Sequence, residues 1–278
     1  MSLAVFGAVM AAALLHAFWN ALIKVGGNKV TAMLMLSLGN AAIGAAYAAF
    51  RPLPPADIWP WLLVSGLIHT AYQFCLAQAY EHGDLSRVYP ISRGTAPLIV
   101  LIAGGFFLPD ELAPAEAAGI VILGAGIIAM ARGVTRDGES ARLLPYALGA
   151  ALATAAYSIV DGSGARLLGD APTYVAWTLV VGVIFFLPVA FLMRGREVLR
   201  AGPRGYGLGL LGGAASFAAY SIAVWAMTQA PIALVTALRE TSILFAVLIG
   251  WLIFKERMSR RKALAAVLIV GGVALTRL

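Results

Sequence analysis

The chain has 278 residues, of which 61% are hydrophobic and only 12% charged, and its mean hydropathy is +0.88. Soluble domains carry about 25% charged residues, so this composition excludes an ordinary water-soluble globule, which would leave large apolar patches exposed. The net charge of +7 is no sign of a nucleic-acid partner until the basic residues are located, and the lone cysteine, Cys75, excludes an internal disulfide and a CxxC redox or zinc site.

A hydrocarbon core about 30 Å thick needs roughly 20 apolar helical residues to cross it. Cutting the chain at its charged and Pro/Gly-rich breaks gives ten such segments. The first, 2–23, precedes the first basic residue, Lys24, and so lacks the basic leader of a secretory signal; it reads as a retained span. Four more follow at 30–50, 58–80, 87–108 and 114–132, then five at 143–164, 171–193, 204–226, 231–254 and 261–277. The connections (GGNK, RPLPPAD, EHGDLS, PDELAP, GVTRDGESAR and the rest) are short, so no extramembrane domain is expected. In lipid the backbone must satisfy its own hydrogen bonds, which makes the expected fold an all-α membrane bundle of ten transmembrane helices.

The two halves repeat. Sliding 84–112 onto 230–258 sets Arg93 on Arg239, Thr95 on Thr241, Gly104 on Gly250 and Asp110 on Glu256. A weaker match brings HTAYQ (69–73) near FAAYS (217–221) and pairs Tyr72 with Tyr220. Residues 1–138 and 139–278 thus read as two five-helix units. An odd number of spans per unit makes the second enter the membrane from the opposite side, the inverted-repeat plan in which a binding site lies at the repeat interface. Fifteen basic residues, among them Lys24, Lys29, Arg87, Arg142, Arg194, Arg200 and Lys262, follow odd-numbered spans, against Arg51, Arg166 and Arg277 on the other face. By the positive-inside rule the odd-numbered connections are cytoplasmic and both termini outside.

Three pieces carry a family resemblance: LLHAFWNALIK (14–24), AYEHGDLSRVYPISRGTAPL (79–98) and APIALVTALRETSILFAVLIGWLIFKER (230–257). A proline near the start of span 4 or 9, a polar residue in mid-span and a closing acidic residue appear in both halves. In these the chain resembles the drug/metabolite transporter superfamily, specifically its ten-helix EamA-type family. The resemblance implies two inverted five-helix bundles around a central cavity lined mainly by spans 1, 3, 4, 6, 8 and 9. It also implies a bacterial inner-membrane exporter of amino acids, other small metabolites or drugs, and no catalytic motif.

Arg93 and Arg239 lead the candidate site residues, because a charge inside a span is costly and usually faces a bundle interior or aqueous cavity. Two readings stand for each: a planar fork holding an anionic group of the substrate, or a scaffold tie to helix-end carbonyls or an acidic partner. Glu240 also has two: a protonatable carboxylate coupling transport to protons, or a partner for Arg93 across the pseudo-two-fold. Polar stripes at helical spacing mark other spans: His16, Trp19 and Asn20 in span 1; His69, Tyr72, Gln73 and Tyr80 in span 3; Tyr157, Ser158 and Asp161 in span 6; Ser216, Tyr220 and Trp225 in span 8. Unsatisfied polar groups are costly in hydrocarbon, so these stripes are expected to point inward. Tyr89, beside Pro90 at the opening of span 4, joins the candidates. His16 and His69 lack the carboxylate support of a metal site, and no cofactor is expected.

The function read from these features is a secondary transporter of a small polar or amphipathic metabolite, working by alternating access with proton coupling open. No GxxxxGK[ST] motif is present to bind ATP. An equilibrative facilitator is the alternative within the class. An intramembrane enzyme or a non-transporting membrane interaction protein is the alternative outside it, but either would call for a compact catalytic or metal cluster. The expected partners are a small-molecule substrate, leaning to one with an anionic group, and membrane lipids. Two halves in one chain already supply the antiparallel pair, so either a monomer or a homodimer is expected.

Overall fold

The computed structural model describes residues 1–25, 28–82, 85–130, 142–252 and 260–277. Its helices are α1 (Leu3–Val25), α2 (Lys29–Ala48), α3 (Trp59–His82), α4 (Leu85–Gly94), α5 (Ala96–Phe107), α6 (Pro114–Met130), α7 (Leu143–Leu168), α8 (Ala171–Arg194), α9 (Gly202–Gln229), α10 (Ile232–Arg239), α11 (Ser242–Leu252) and α12 (Arg260–Leu275). One 3₁₀ turn, Gly195–Leu199, follows α8, and no strand occurs among the described residues. Six segments, among them Leu143–Leu168 and Ala171–Leu199, are by themselves long and apolar enough to cross a membrane. Local chemistry sets several ends. The Asn28 side chain accepts from the Thr31 N–H at the start of α2, and Asp170 does the same for Thr173 at the start of α8. Gly169, at φ +75°, closes α7 in the left-handed conformation.

Ten spans result, because α4 with α5 makes span 4 and α10 with α11 makes span 9. The breaks were not expected from the sequence, and they fall at equivalent positions: Thr95 in the first half, Glu240–Thr241 in the second. Pro97 explains the first, since it has no N–H to give the carbonyl of Arg93 four residues earlier. In the second the backbone tightens, with Glu240 donating to Ala237 at 3.0 Å, Thr241 to Leu238 at 3.1 Å and Ile243 to Glu240 at 3.1 Å. Each arginine therefore ends a half-helix inside the bundle.

The packing carries the internal symmetry. Span 3 lies on span 6, as span 8 lies on span 1; span 2 lies on span 8, as span 7 lies on span 3. Spans 2 and 7 pack on each other, and so do spans 5 and 10. Every such pair maps onto another, or onto itself, when the halves are exchanged. Glycines permit the closest approaches. A Cβ on Gly119 would sit 2.7 Å from the Gly272 carbonyl, so the backbones of spans 5 and 10 pack directly against each other. Where α2 meets α9, a Cβ on Gly213 would lie 2.5 Å from the Gly39 carbonyl carbon and 2.6 Å from the Asn40 nitrogen. The variant Gly213→Val is accordingly expected to lose about 3 kcal/mol through overpacking, read as a lower melting temperature in detergent. Gly7→Ala is its control, because a Cβ there meets nothing within 4 Å.

Candidate functional site

The site is a buried polar chain that runs through the bundle where the broken helices meet. Arg93, at the end of α4, is 2% exposed, and its Nη1 donates to Glu240 Oε1 at 3.1 Å. Its Nη2 meets the Nε2 of His16, so spans 1, 4 and 9 join at one guanidinium. Arg239, 3% exposed at the end of α10, turns the other way: its Nη2 donates to the Tyr157 hydroxyl at 3.2 Å. The same guanidinium lies over the rings of Tyr157 and Tyr220, at 5.7 and 5.8 Å from their centres. Neighbours in sequence on a helix do not face each other, which is why Glu240 serves Arg93 while the nearest approach of Arg239 Nε to it is 3.9 Å.

A second half of the chain of contacts centres on Asp161, fully buried in α7. His69 Nε2 lies 3.0 Å from its Oδ2, the Tyr174 hydroxyl donates to its Oδ1 at 3.2 Å, and the Tyr220 hydroxyl donates to its Oδ2. The ring of His69 stacks on Tyr157 at 4.3 Å and meets Tyr220 edge-on at 5.5 Å. Tyr72 packs edge-on against Tyr157 at 5.6 Å. Tyr157 is thus the hinge between the two halves, bonded to Arg239 through its hydroxyl and to His69 through its face.

Of the residues expected at the site, His16, His69, Tyr72, Arg93, Tyr157, Asp161, Tyr220, Arg239 and Glu240 come together. Trp19 stacks edge-on against His16 at 4.7 Å, with its indole N–H buried and unbonded. Asn20 bonds back to the His16 carbonyl at 2.7 Å. Gln73, one turn beyond His69, keeps a buried Oε1 without a hydrogen bond. Trp225 departs from the expected stripe: it is 37% exposed on the outer side of α9. Five residues beyond Tyr220, it lies about 140° around the helix, whereas Ser216 and Tyr220 share a face. The side chain of Tyr89 lies outside the described residues, as do Glu256 and most of the basic residues counted after spans 5 and 9.

Three participants had no candidate role in the sequence. Tyr174 looked like one more aromatic near the start of span 7, with nothing to reveal its bond to Asp161. Arg166 was counted only as a loop charge and Asp110 only as the repeated closing acid of span 4, yet they form a clamp across the repeats on the even-numbered-loop face. Arg166 Nη1 and Nη2 donate to the two oxygens of Asp110 at 2.8 and 3.1 Å. Its Nε donates to the Met227 carbonyl at 2.8 Å and its Nη2 also to that of Ala230 at 3.1 Å. Asp110 Oδ2 in turn accepts the Ile232 N–H at 2.8 Å, holding the start of α10. On the opposite face a cavity of about 410 Å³ enters between α1, α2 and α9, with Arg194, Glu197 and Arg200 at its mouth and Trp19 in its wall. No group of three or more histidine, cysteine or acidic side chains that could hold a metal occurs among the described residues.

The two-repeat helical architecture is that of a known class. The model of the EamA-like transporter family matches residues 3–132 and again residues 142–278. The chain belongs to that family of the drug/metabolite transporter superfamily and is a multi-pass membrane protein. No curated protein matches it. A solved chain described only as a protein is 20% identical, with a TM-score of 0.73 over 99% of this chain and 96% of that one. At that identity it speaks for the fold alone.

Proposed function

We propose that the chain is a secondary transporter that exports a small polar metabolite bearing an anionic group, an amino acid or organic acid, from a bacterial cytoplasm by alternating access. The observation that carries this is Arg239. It is a buried guanidinium at a half-helix end, held by one hydrogen bond to a tyrosine, with its Nε unbonded. A scaffold arginine is normally saturated, as Arg166 is. A fork with donors to spare, in a ring of tyrosines at the repeat interface, suits a carboxylate. Arg93 reads differently, because Glu240 already faces it, and its role in this proposal is to join the repeats.

The two faces support the alternating-access part. The Arg166–Asp110 clamp closes the even-numbered-loop side, and the cavity beside Trp19 opens toward the odd-numbered side, which the basic residues assign to the cytoplasm.

Ligand-dependent thermal stabilisation tests the proposal. Screened in detergent against amino acids, organic acids, sugars, polyamines and nucleotides, the protein should be stabilised by small carboxylates and unmoved by sugars and polyamines. Arg239→Lys, which keeps the charge but loses the fork, should remove the shift while leaving the unliganded melting temperature within a few degrees. Stabilisation by no carboxylate, or an unchanged shift in Arg239→Lys, overturns it.

A further inference from the structure

We propose that the cavity between α1, α2 and α9 is a binding site for an anionic phospholipid, with the phosphate at the arginine-lined mouth and the start of one acyl chain inside.

The walls grade from charged to apolar. Glu197 at the mouth is taken by Arg200 at 2.5 Å, whereas Arg194 has no hydrogen bond or ion pair among the described residues. Helices α2 and α9 both begin here, and their N-cap residues Asn28 and Ala201 stand in the wall. The positive ends of two helices therefore add to the arginines, which suits a phosphate. Further in, the lining turns to Leu22, Met35, Leu36 and Leu208. Along α9 the wall runs from Gly205 to Gly212, about 10 Å, the depth over which a lipid passes from headgroup to hydrocarbon. A small anion would be met at the mouth only. An amphiphile with an anionic head matches the whole gradient.

The mouth lies at the level of a membrane surface. Leu192 is 88% exposed beside Arg194, and the exposed Tyr206 donates through its hydroxyl to the Leu199 carbonyl at 2.8 Å. Exposed apolar and tyrosine side chains among Arg196, Arg200 and Arg204 are the composition of an interfacial segment, and basic residues there attract anionic headgroups. Trp19 gives an independent sign of a ligand. It lines the cavity and is 5% exposed, yet its indole N–H has no acceptor in the protein. A buried indole N–H usually finds a partner, and an ester oxygen of the lipid supplies one.

The internal repeat shows that this space belongs to one half only. Asn28 and Asp170 cap equivalent helices, each accepting the N–H of a threonine three residues on. The next residue in α2 is Ala32, in the cavity wall. Its counterpart in α8 is Tyr174, fully buried against Gly164 in a cluster with Ile58 and Leu62. The second copy is thus filled by its own side chains, and the first leaves room for a ligand. A lipid lodged there keeps α1 and α2 apart at that face.

Lipid binding to the purified, delipidated protein is read by native mass spectrometry and by thermal shift. Phosphatidylglycerol is compared with phosphatidylcholine of the same chains. The anionic lipid should bind as one tightly held copy, roughly tenfold or more tighter than the zwitterionic one. The double variant Arg194→Gln/Arg200→Gln should erase that preference. Ala32→Tyr, which copies the second half, should remove the tightly held lipid of either kind, whereas Arg51→Gln on the opposite face should change nothing. Glycerol 3-phosphate, the phosphate head without chains, should not displace the lipid. Equal binding of the two lipids, preference retained in the arginine pair, or lipid retained in Ala32→Tyr overturns the proposal. Displacement by glycerol 3-phosphate also overturns it, and makes the cavity a small-anion site. If Ala32→Tyr fails to elute as a single species, the arginine pair carries the test, since both side chains are exposed. Solute binding at Arg239 is a separate measurement, and none of these outcomes bears on it.

Discussion

Arg93→Met is expected to lose about 3–5 kcal/mol of stability, the usual consequence of removing one partner of a buried ion pair. Glu240 would remain fully buried with its nearest cation, Arg239, 3.9 Å away and already committed to Tyr157. His16 would lose its contact as well. The matched variant Arg93→Met/Glu240→Gln removes both charges and should recover most of the loss, because what is expensive is the orphaned carboxylate and not the missing attraction. Denaturation in mild detergent, followed by tryptophan fluorescence, reads all three proteins. A single variant as stable as the wild type, but no longer stabilised by a carboxylate ligand, would move Arg93 from the scaffold to the substrate. That outcome would make the two arginines equivalent, as their alignment in the repeats alone suggests.

Arg166→Ala is expected to shift the carrier toward opening on the even-numbered-loop face by on the order of 10- to 100-fold, equal to about 1.4–2.7 kcal/mol. The side chain makes four hydrogen bonds, two to Asp110 and one each to the Met227 and Ala230 carbonyls. Charged hydrogen bonds contribute about 1.5–3 kcal/mol each when sheltered, and partial exposure of the clamp, 27% at Arg166, reduces that sum. A cysteine in place of Thr236, buried one turn inside the clamp on α10, reports the opening in a Cys75→Ser background. Its labelling by a membrane-impermeant maleimide from the clamp side should rise with Arg166→Ala. Unchanged labelling alongside a lower melting temperature would reduce the clamp to a structural tie.

Much of the architecture was written in the order of residues. Ten spans followed from apolar runs of about 20 residues, and the repeat followed from Arg93 and Arg239 recurring with their threonines, glycines and acids. The helix break after Arg93 also had its signal in Pro97, although the break after Arg239, which has no proline, did not. Partnership was hidden. Glu240 stands beside Arg239 in sequence but bonds Arg93, 147 residues away, and Asp161 gathers hydroxyls from two other helices. Such choices depend on which faces meet when α7, α8 and α9 pack, and a single helix's periodicity says nothing of them. Trp225 shows the limit within one helix, since a spacing of five breaks a stripe that a spacing of four sustains. The clamp was half legible: its charges were visible as loop residues, and their pairing was not.

Transport itself is the central claim, and solute flux in proteoliposomes tests it most directly. A radiolabelled carboxylate that stabilises the protein should enter vesicles with saturable kinetics, accelerate when unlabelled solute is trapped inside, and fall to background in Arg239→Ala. Uptake no faster than in protein-free vesicles, for every solute that binds, would contradict it.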